Sequence, residues 1–301
     1  MSGHLPRHLW WVLAGLTVVW GFNWTAMKVA LAEIAPLSFR ALCLTAGAGV
    51  LFAYLRITRQ PTAIARSQWL RLTLISLVGI TSWNLLVTFG VRLVPSGRAA
   101  ILAYTMPVWA IPLSVWVLGE RLDARKLVGL ALGMAAMAML LWDEIGRLSG
   151  APLGAALSLG GALAWALSTI LQKKYPVNAP LPALTAWMML IGGMPICFGA
   201  LIFDLRAAVA AGGVSVGLWP ALATLYSIVL TFGWGHWAWI KLVTSVSVTV
   251  FSLSMLVVPL VGVLSGMLFL GEQPGWTEFA ALLLVLGSLV SVTVARRPQL
   301  S

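Results

Sequence analysis

The stretch Pro95–Glu120, PSGRAAILAYTMPVWAIPLSVWVLGE, decides the fold because the chain uses its pattern twice. It is mostly apolar, carries Pro107 near its middle, and ends at Gly119-Glu120. A second stretch, Val248–Glu272 (VTVFSLSMLVVPLVGVLSGMLFLGE), repeats these features. The matched prolines (107 and 259) and the matched glycines (119 and 271) are both 152 positions apart. This internal similarity predicts a duplicated protein.

The composition places the chain in a membrane. Of 301 residues, 60% are hydrophobic and only 9% are charged, and the mean hydropathy is +0.97. A soluble domain carries about 25% charged residues, so much of this surface must face lipid. No connection is long enough to form a separate soluble domain. The chain is therefore expected to be an all-α integral membrane protein.

Hydropathy predicts ten transmembrane helices, because a helix needs about 20 apolar residues to cross the hydrocarbon core. Short connections between them hold most of the charge. Tryptophans near the predicted helix ends fit the aromatic belts at the two membrane surfaces. The predicted helices cover residues 9–32, 36–55, 69–92, 97–118, 125–142, 152–173, 181–203, 218–240, 246–270 and 275–295.

The distribution of Lys and Arg predicts the orientation. The net charge of +11 is attributed to positively charged cytoplasmic loops, and nucleic acid is not expected as a partner. With a cytoplasmic N-terminus, 13 Lys and Arg fall on the inner side and 6 on the outer side. The outer set includes Lys28, expected to reach the headgroups, and Arg40. An even number of helices places both termini in the cytoplasm.

The repeat extends beyond the two opening stretches. Trp20–Lys28 (WGFNWTAMK) matches Trp165–Lys173 (WALSTILQK) at a spacing of 145. Each half, 9–143 and 151–295, then holds five helices, and an odd number inverts the second half. The connection after Glu120 is basic, whereas that after Glu272 has no Lys or Arg, as inversion requires. Inverted five-helix repeats are typical of secondary transporters.

Enzyme chemistry finds little support in the sequence. There is no phosphate-binding loop, no His-Glu metal motif and no pair of carboxylates inside a predicted helix. We therefore expect neither an enzyme nor a cofactor or bound metal. The other non-transport alternative is an assembly scaffold, and the duplicated, inverted half argues against it. If transport is coupled to protons, His236, Lys28 and Lys241 are the candidates for carrying them.

Deep aromatic and polar side chains are the candidates for a substrate cavity. Trp20, Asn23 and Trp24 recur at i, i+3 and i+4, so they share one helix face. A cavity that combines rings with hydrogen-bonding groups suits a small amphipathic solute. The alternative is that these groups only join helices. The full candidate set is Trp20, Asn23, Trp24, Trp83, Asn84, Thr88, Tyr104, Trp165, Ser168, Trp237 and Ser252.

Together, the predicted helices, the inverted repeat, WGFNW and the twice-used Pro…Gly-Glu ending resemble the EamA type of the drug/metabolite transporter superfamily. The resemblance covers about residues 9–295. It implies a basket-like bundle in which helices 1, 3, 4, 6, 8 and 9 line a central cavity. Alternating access would occur by rocking of the two halves, with Pro107 and Pro259 as hinges.

Within that superfamily the chain is most similar to bacterial amino-acid exporters of the YddG kind. The resemblance implies export of amino acids, including aromatic ones, and similar small metabolites across the bacterial inner membrane. A multidrug or nucleotide-sugar carrier of the same fold is the alternative. The expected partners are the small-molecule substrate and membrane lipid, and the sequence leaves a monomer and a homodimer equally open.

Overall fold

The computed structural model describes residues 7–119, 124–146, 152–210, 213, 215–245 and 257–293, and within them every regular element is a helix. In chain order we label the helices α1 (Arg7–Ala30), α2 (Pro36–Ile57), α3 (Arg66–Leu93), α4 (Ser96–Leu118), α5 (Ala124–Gly146), α6 (Pro152–Lys174), α7 (Leu181–Ala210), α8 (218–245), α9 (Val257–Leu270) and α10 (Trp276–Thr293).

Six of these helices are long and apolar enough to cross a membrane, namely α2, α3, α4, α6, α7 and α8. Shorter apolar stretches lie in α5, α9 and α10. Large apolar side chains such as Trp116, Phe198 and Leu268 are exposed, which suits a surface in contact with lipid. The prediction of an all-α membrane protein is confirmed.

Three helices contain a π-helical stretch, in which backbone hydrogen bonds span five residues instead of four. These stretches are Leu77–Thr81 in α3, Ala200–Asp204 in α7 and Ser227–Trp234 in α8. A π stretch widens the helix locally and redirects the side chains around it. Those of α3 and α8 lie where the predicted substrate residues of neighbouring helices make their contacts.

α4 is interrupted at its middle. Tyr104 and Thr105 separate a first segment, Ser96–Ala103, from a second segment, Met106–Leu118. Pro107 lies in the first turn of the second segment, where its missing N–H costs no hydrogen bond. The sequence predicted one helix bent at Pro107. The structure instead breaks the helix just before this proline.

The two matched Gly-Glu motifs end their helices in the same backbone conformation. Gly119 follows α4 with φ +66°, and Gly271 follows α9 with φ +65°. A left-handed residue is a common helix terminator, and glycine adopts it without a Cβ penalty. Glu120 lies outside the described residues, whereas Glu272 is described.

Helices pack in a pattern that joins the first and second halves of the chain. The main neighbours are α2 with both α7 and α8, α3 with both α6 and α7, α5 with α10, α1 with both α8 and α9, and α4 with both α6 and α9. One core cluster is centred on α1, α2, α3 and α7, and a second on α4, α5, α6, α9 and α10. The halves are therefore interleaved.

The carboxylate of Glu272 caps the N-terminus of α4 at one end of the bundle, and we call this end the Glu272 end. Its Oε1 accepts from the backbone N–H of Ser96 at 2.6 Å. Its Oε2 accepts from the hydroxyl of Ser96 at 3.0 Å and from the N–H of Gly97 at 3.2 Å. A negative charge at a helix N-terminus is favourable, so Glu272 ties the end of α9 to the start of α4.

Further polar contacts close the same end. Lys28 of α1 donates to the carbonyl of Val91 at 2.9 Å and to that of Val94, at the C-terminus of α3. Arg98 of α4 and Glu278 of α10 form a buried ion pair. The sequence predicted that Lys28 would reach toward lipid headgroups. In the structure its ammonium group satisfies backbone carbonyls of a neighbouring helix.

Candidate functional site

The first cluster of predicted substrate residues lies where α1 meets the π stretch of α8. We call it the α1/α8 contact, formed by Trp20, Asn23, Ser227 and Thr231. Asn23 Oδ1 accepts hydrogen bonds from the hydroxyls of Ser227 at 3.1 Å and Thr231 at 3.0 Å. The indole N–H of Trp20 donates to the carbonyl of Thr231 at 3.5 Å. The contact therefore joins two helices through their polar groups.

Two more rings of α8 extend this contact. His236 meets Trp20 edge to face at 5.9 Å between ring centroids and stacks on Phe232 at 5.5 Å. Its Nδ1 lies 3.2 Å from the carbonyl of Thr231, which can only accept, so the Nδ1–H donates. The sequence named His236 only as a candidate proton carrier, and the structure places its ring against Trp20.

The second cluster lies where α6 meets α3, and we call it the α6/α3 contact. Trp165 and Trp83 have their ring centroids 5.2 Å apart. Ser168 donates to the carbonyl of Ile75 at 3.2 Å, and its hydroxyl faces Gly79, within the π stretch of α3. Ser168 is buried, whereas Trp165 keeps an exposed face.

The two contacts correspond to each other in the predicted repeat. Trp20 and Trp165 are 145 positions apart, as are Asn23 and Ser168. Their partners Ser227 and Ile75 are 152 positions apart. Trp83 corresponds to Gly235. This glycine leaves room for the Trp20 ring, because a Cβ added at Gly235 would lie 2.6 Å from Trp20 Nε1. The same arrangement therefore occurs twice with different side chains.

The remaining predicted residues are distributed between the contacts. Trp24 is buried against Gly262 of α9. Asn84 is buried and donates to the carbonyl of Ile80 on its own helix at 2.7 Å. Tyr104 lies at the interruption of α4 and packs against both core clusters. Thr88 bonds to a residue that the candidate set did not include.

That residue is Arg40, which sequence reasoning placed at the outer membrane surface. It is only 4% exposed. Its Nε donates to the hydroxyl of Thr88, and one terminal nitrogen contacts the sulfur of Met27. The side chain lies over the rings of Phe39 at 5.3 Å and Phe232 at 5.9 Å. An arginine inside an apolar stretch was the signal that could have identified it.

Two predicted residues lie apart from these contacts. Trp237 packs against the cluster that joins the start of α1 to the end of α8, and the Lys241 ammonium lies 5.6 Å from its ring centroid. Ser252 is outside the described residues. Of the hinges, Pro259 is buried near the start of α9.

Two cavities lie away from both contacts. One, of about 450 Å³, opens to the surface between α5 and α10 and is lined by Met139, Trp142 and Trp276, among others. The other, of about 80 Å³, lies at the Glu272 end beside Arg98 and Glu278. Neither is lined by a predicted substrate residue.

Comparison with known proteins gives consistent matches over nearly the whole chain. The EamA-like transporter family matches residues 8–142 and, separately, 152–294. The uncharacterised transporter YoaV of Bacillus subtilis is 26% identical over 262 residues, covering 87% of this chain and 88% of YoaV. A protein of Escherichia coli K12 named "probable amino-acid metabolite efflux pump" is 26% identical over 277 residues, covering 91% of each chain.

A solved crystal structure has the same fold. Its TM-score to this chain is 0.62, with 19% sequence identity over 94% of this chain and 96% of the other. Identity at this level supports the fold and says nothing of the transported compound.

Proposed function

The chain belongs to the EamA-like transporter family of membrane transporters, and from that premise we propose that it exports amino acids, including aromatic ones, and similar small amphipathic metabolites. Export would proceed by alternating access across the bacterial inner membrane. The observation that carries this proposal is the repeated aromatic and polar arrangement of the α1/α8 and α6/α3 contacts. The name of the Escherichia coli relative adds support for amino-acid metabolites.

We propose ten transmembrane helices in two inverted repeats, residues 9–143 and 151–295. The helix packing supports two repeats. If each helix is replaced by the helix five places away in the chain, the pattern of neighbouring pairs stays the same. The α3–α6 pair becomes α8–α1, α4–α6 becomes α9–α1, and the α2–α7, α4–α9 and α5–α10 pairs map onto themselves. The separate family matches of the two halves support the same division.

We further propose that both termini are cytoplasmic and that the Glu272 end is external. Exposed cations at the opposite end support this orientation, because cytoplasmic loops carry excess Lys and Arg. At the Glu272 end, Lys28 and Arg98 bond within the protein, which leaves Arg92 and Arg206 as the exposed cations of the described residues there. The exposed cations of the opposite end are Arg56, Arg59, Arg66, Arg71, Lys173, Lys174 and Lys241.

The chemistry of the two contacts supports an amphipathic substrate. Indole rings offer flat apolar surface, while amide and hydroxyl groups offer hydrogen bonds, a combination typical of small-molecule sites. Because the contacts are matched across the repeat, rocking of the halves would change both together. Trp165 has the more exposed ring, so we place the aromatic part of the solute against the Trp83–Trp165 pair.

Transport by purified protein in liposomes tests this function. We expect uptake of labelled phenylalanine, tryptophan or leucine above that of protein-free liposomes, driven by the solute gradient. A matched panel contains a cationic dye and a sugar nucleotide. Flux of either panel compound without flux of any amino acid would replace amino-acid export with the multidrug or nucleotide-sugar alternative. Repeating the assay with and without a pH gradient separates proton coupling from facilitated diffusion.

A further inference from the structure

Arg40 is a cation inside the helix bundle that lacks a carboxylate partner among the described residues. Its hydrogen bonds go to the neutral groups of Thr88 and Met27, and its ring contacts are to Phe39 and Phe232. A buried charge is costly unless an opposite charge or several hydrogen bonds compensate it. Inside a membrane such residues are usually functional.

The guanidinium group extends from the Glu272 end toward the middle of the bundle. Arg40 is four residues after the start of α2, so its backbone lies ~6 Å along the helix. Phe232, fourteen residues after the start of α8, packs beside Gly47, which is farther along α2. Since Arg40 Cζ lies 5.9 Å from the Phe232 ring centroid, the side chain points inward.

A chain of ring contacts connects Arg40 to the α1/α8 contact. The Phe232 ring beneath it stacks on His236, and His236 meets Trp20. On its other side, Thr88 is one turn from Asn84 on α3. The charge therefore lies between groups of α1, α3 and α8, which are three of the helices expected to line the substrate cavity.

We propose that Arg40, positioned by Thr88, binds the carboxylate of the transported solute. Its Nε and one terminal nitrogen are occupied by protein contacts, while the second terminal nitrogen has no hydrogen-bond partner among the described residues. A guanidinium has five N–H donors and matches a carboxylate in two-point geometry. An amino acid would thus supply the negative charge that Arg40 lacks. This role presupposes the amino-acid export proposed above.

The test compares two solutes that differ only in this group, phenylalanine and phenylalaninamide. In proteoliposomes, wild-type protein should favour phenylalanine. Arg40→Gln should lower phenylalanine flux by about tenfold to a hundredfold, because losing a hydrogen bond to a charged group weakens binding by about that factor. Flux of the amide should stay within about twofold. Arg40→Lys should keep part of the preference. Arg92→Gln, an exposed arginine at the same end, is the matched control.

Other outcomes overturn the carboxylate role. Equal loss of both fluxes in Arg40→Gln, with folded protein by size-exclusion chromatography, would make Arg40 a packing residue. If the variant does not fold, competition on wild-type protein decides, because equal inhibition by phenylalanine and phenylalaninamide rejects carboxylate binding without any variant.

The same assay separates failure of this role from failure of amino-acid export. If wild-type protein carries no amino acid, export of amino acids is wrong. Arg40 is then tested with phenylpropionate and its amide. Flux of phenylpropionate that depends on Arg40 retains the carboxylate role, while no flux of any carboxylate rejects both.

Discussion

Asn23 of α1 and Ser227 of α8 are hydrogen-bonded, side chain to side chain, at 3.1 Å across the bundle. At the corresponding positions of the predicted repeat, the Ser168 hydroxyl of α6 donates to the carbonyl of Ile75 of α3 at 3.2 Å. In both cases the partner lies in or beside a π-helical stretch. The two halves of the chain thus meet through matched polar contacts beside matched tryptophans.

Replacing Asn23 should lower the free energy of unfolding, because the hydrogen bond from the Thr231 hydroxyl is lost. Asn23→Ala and Thr231→Val each remove one side of the 3.0 Å bond, and we expect a coupling of about 0.5–1.5 kcal/mol in the free energy of unfolding. Unfolding in detergent, measured for both single variants and the double variant, gives this coupling. Thr224→Val is the control, because the Thr224 hydroxyl donates to the carbonyl of Pro220 on its own helix and should show no coupling to Asn23. Additive effects of the Asn23 and Thr231 variants would contradict the contact.

Truncation of the matched tryptophans should impair transport similarly. Trp20→Ala and Trp165→Ala each remove a ring from one contact, and we expect about a fivefold to tenfold loss of flux in each, because a well-placed aromatic contributes about 1 kcal/mol or more. Trp116 is 83% exposed, and Trp116→Ala should transport normally. Normal flux in both site variants, with folded protein, would reduce these tryptophans to packing residues.

Loss of the Glu272 carboxylate should destabilise the start of α4. Glu272→Ala removes the acceptor for the N–H groups of Ser96 and Gly97, and loss of such a cap costs about 1 kcal/mol. Unfolding in detergent measures the change, with Gln273→Ala as the exposed neighbouring control. A variant as stable as wild type would show that water replaces the carboxylate without loss.

Restoring the missing N–H at Pro107 should slow turnover. In Pro107→Ala the new N–H can bond to the carbonyl of Ala103, four residues earlier, and join the two segments of α4. We expect lower exchange rates in proteoliposomes with substrate affinity within about twofold of wild type. Pro112→Ala, inside the second segment, is the control and should alter turnover less. Unchanged turnover in Pro107→Ala would remove this position as a hinge.

Membrane insertion and the matched helix ends followed directly from the sequence, because hydropathy and Gly-Glu endings are local properties. The spacing of Trp20 and Trp165 predicts which residues would correspond in the two halves, and this correspondence stays a prediction. The sequence also grouped Trp20, Asn23 and Trp24 on one face, since helix geometry fixes their directions. It could not predict that Asn23 would face Ser227 while Trp24 would face Gly262.

Only the tertiary structure decided which apolar and charged side chains are enclosed. Lipid and protein interior are both apolar, so hydropathy cannot distinguish the buried Trp24 from the exposed Trp116. The same limit applies to Arg40. Its position inside an apolar stretch marks it as unusual, but the sequence does not show that it is buried, because the groups that surround it, Met27, Thr88 and Phe232, come from three other helices.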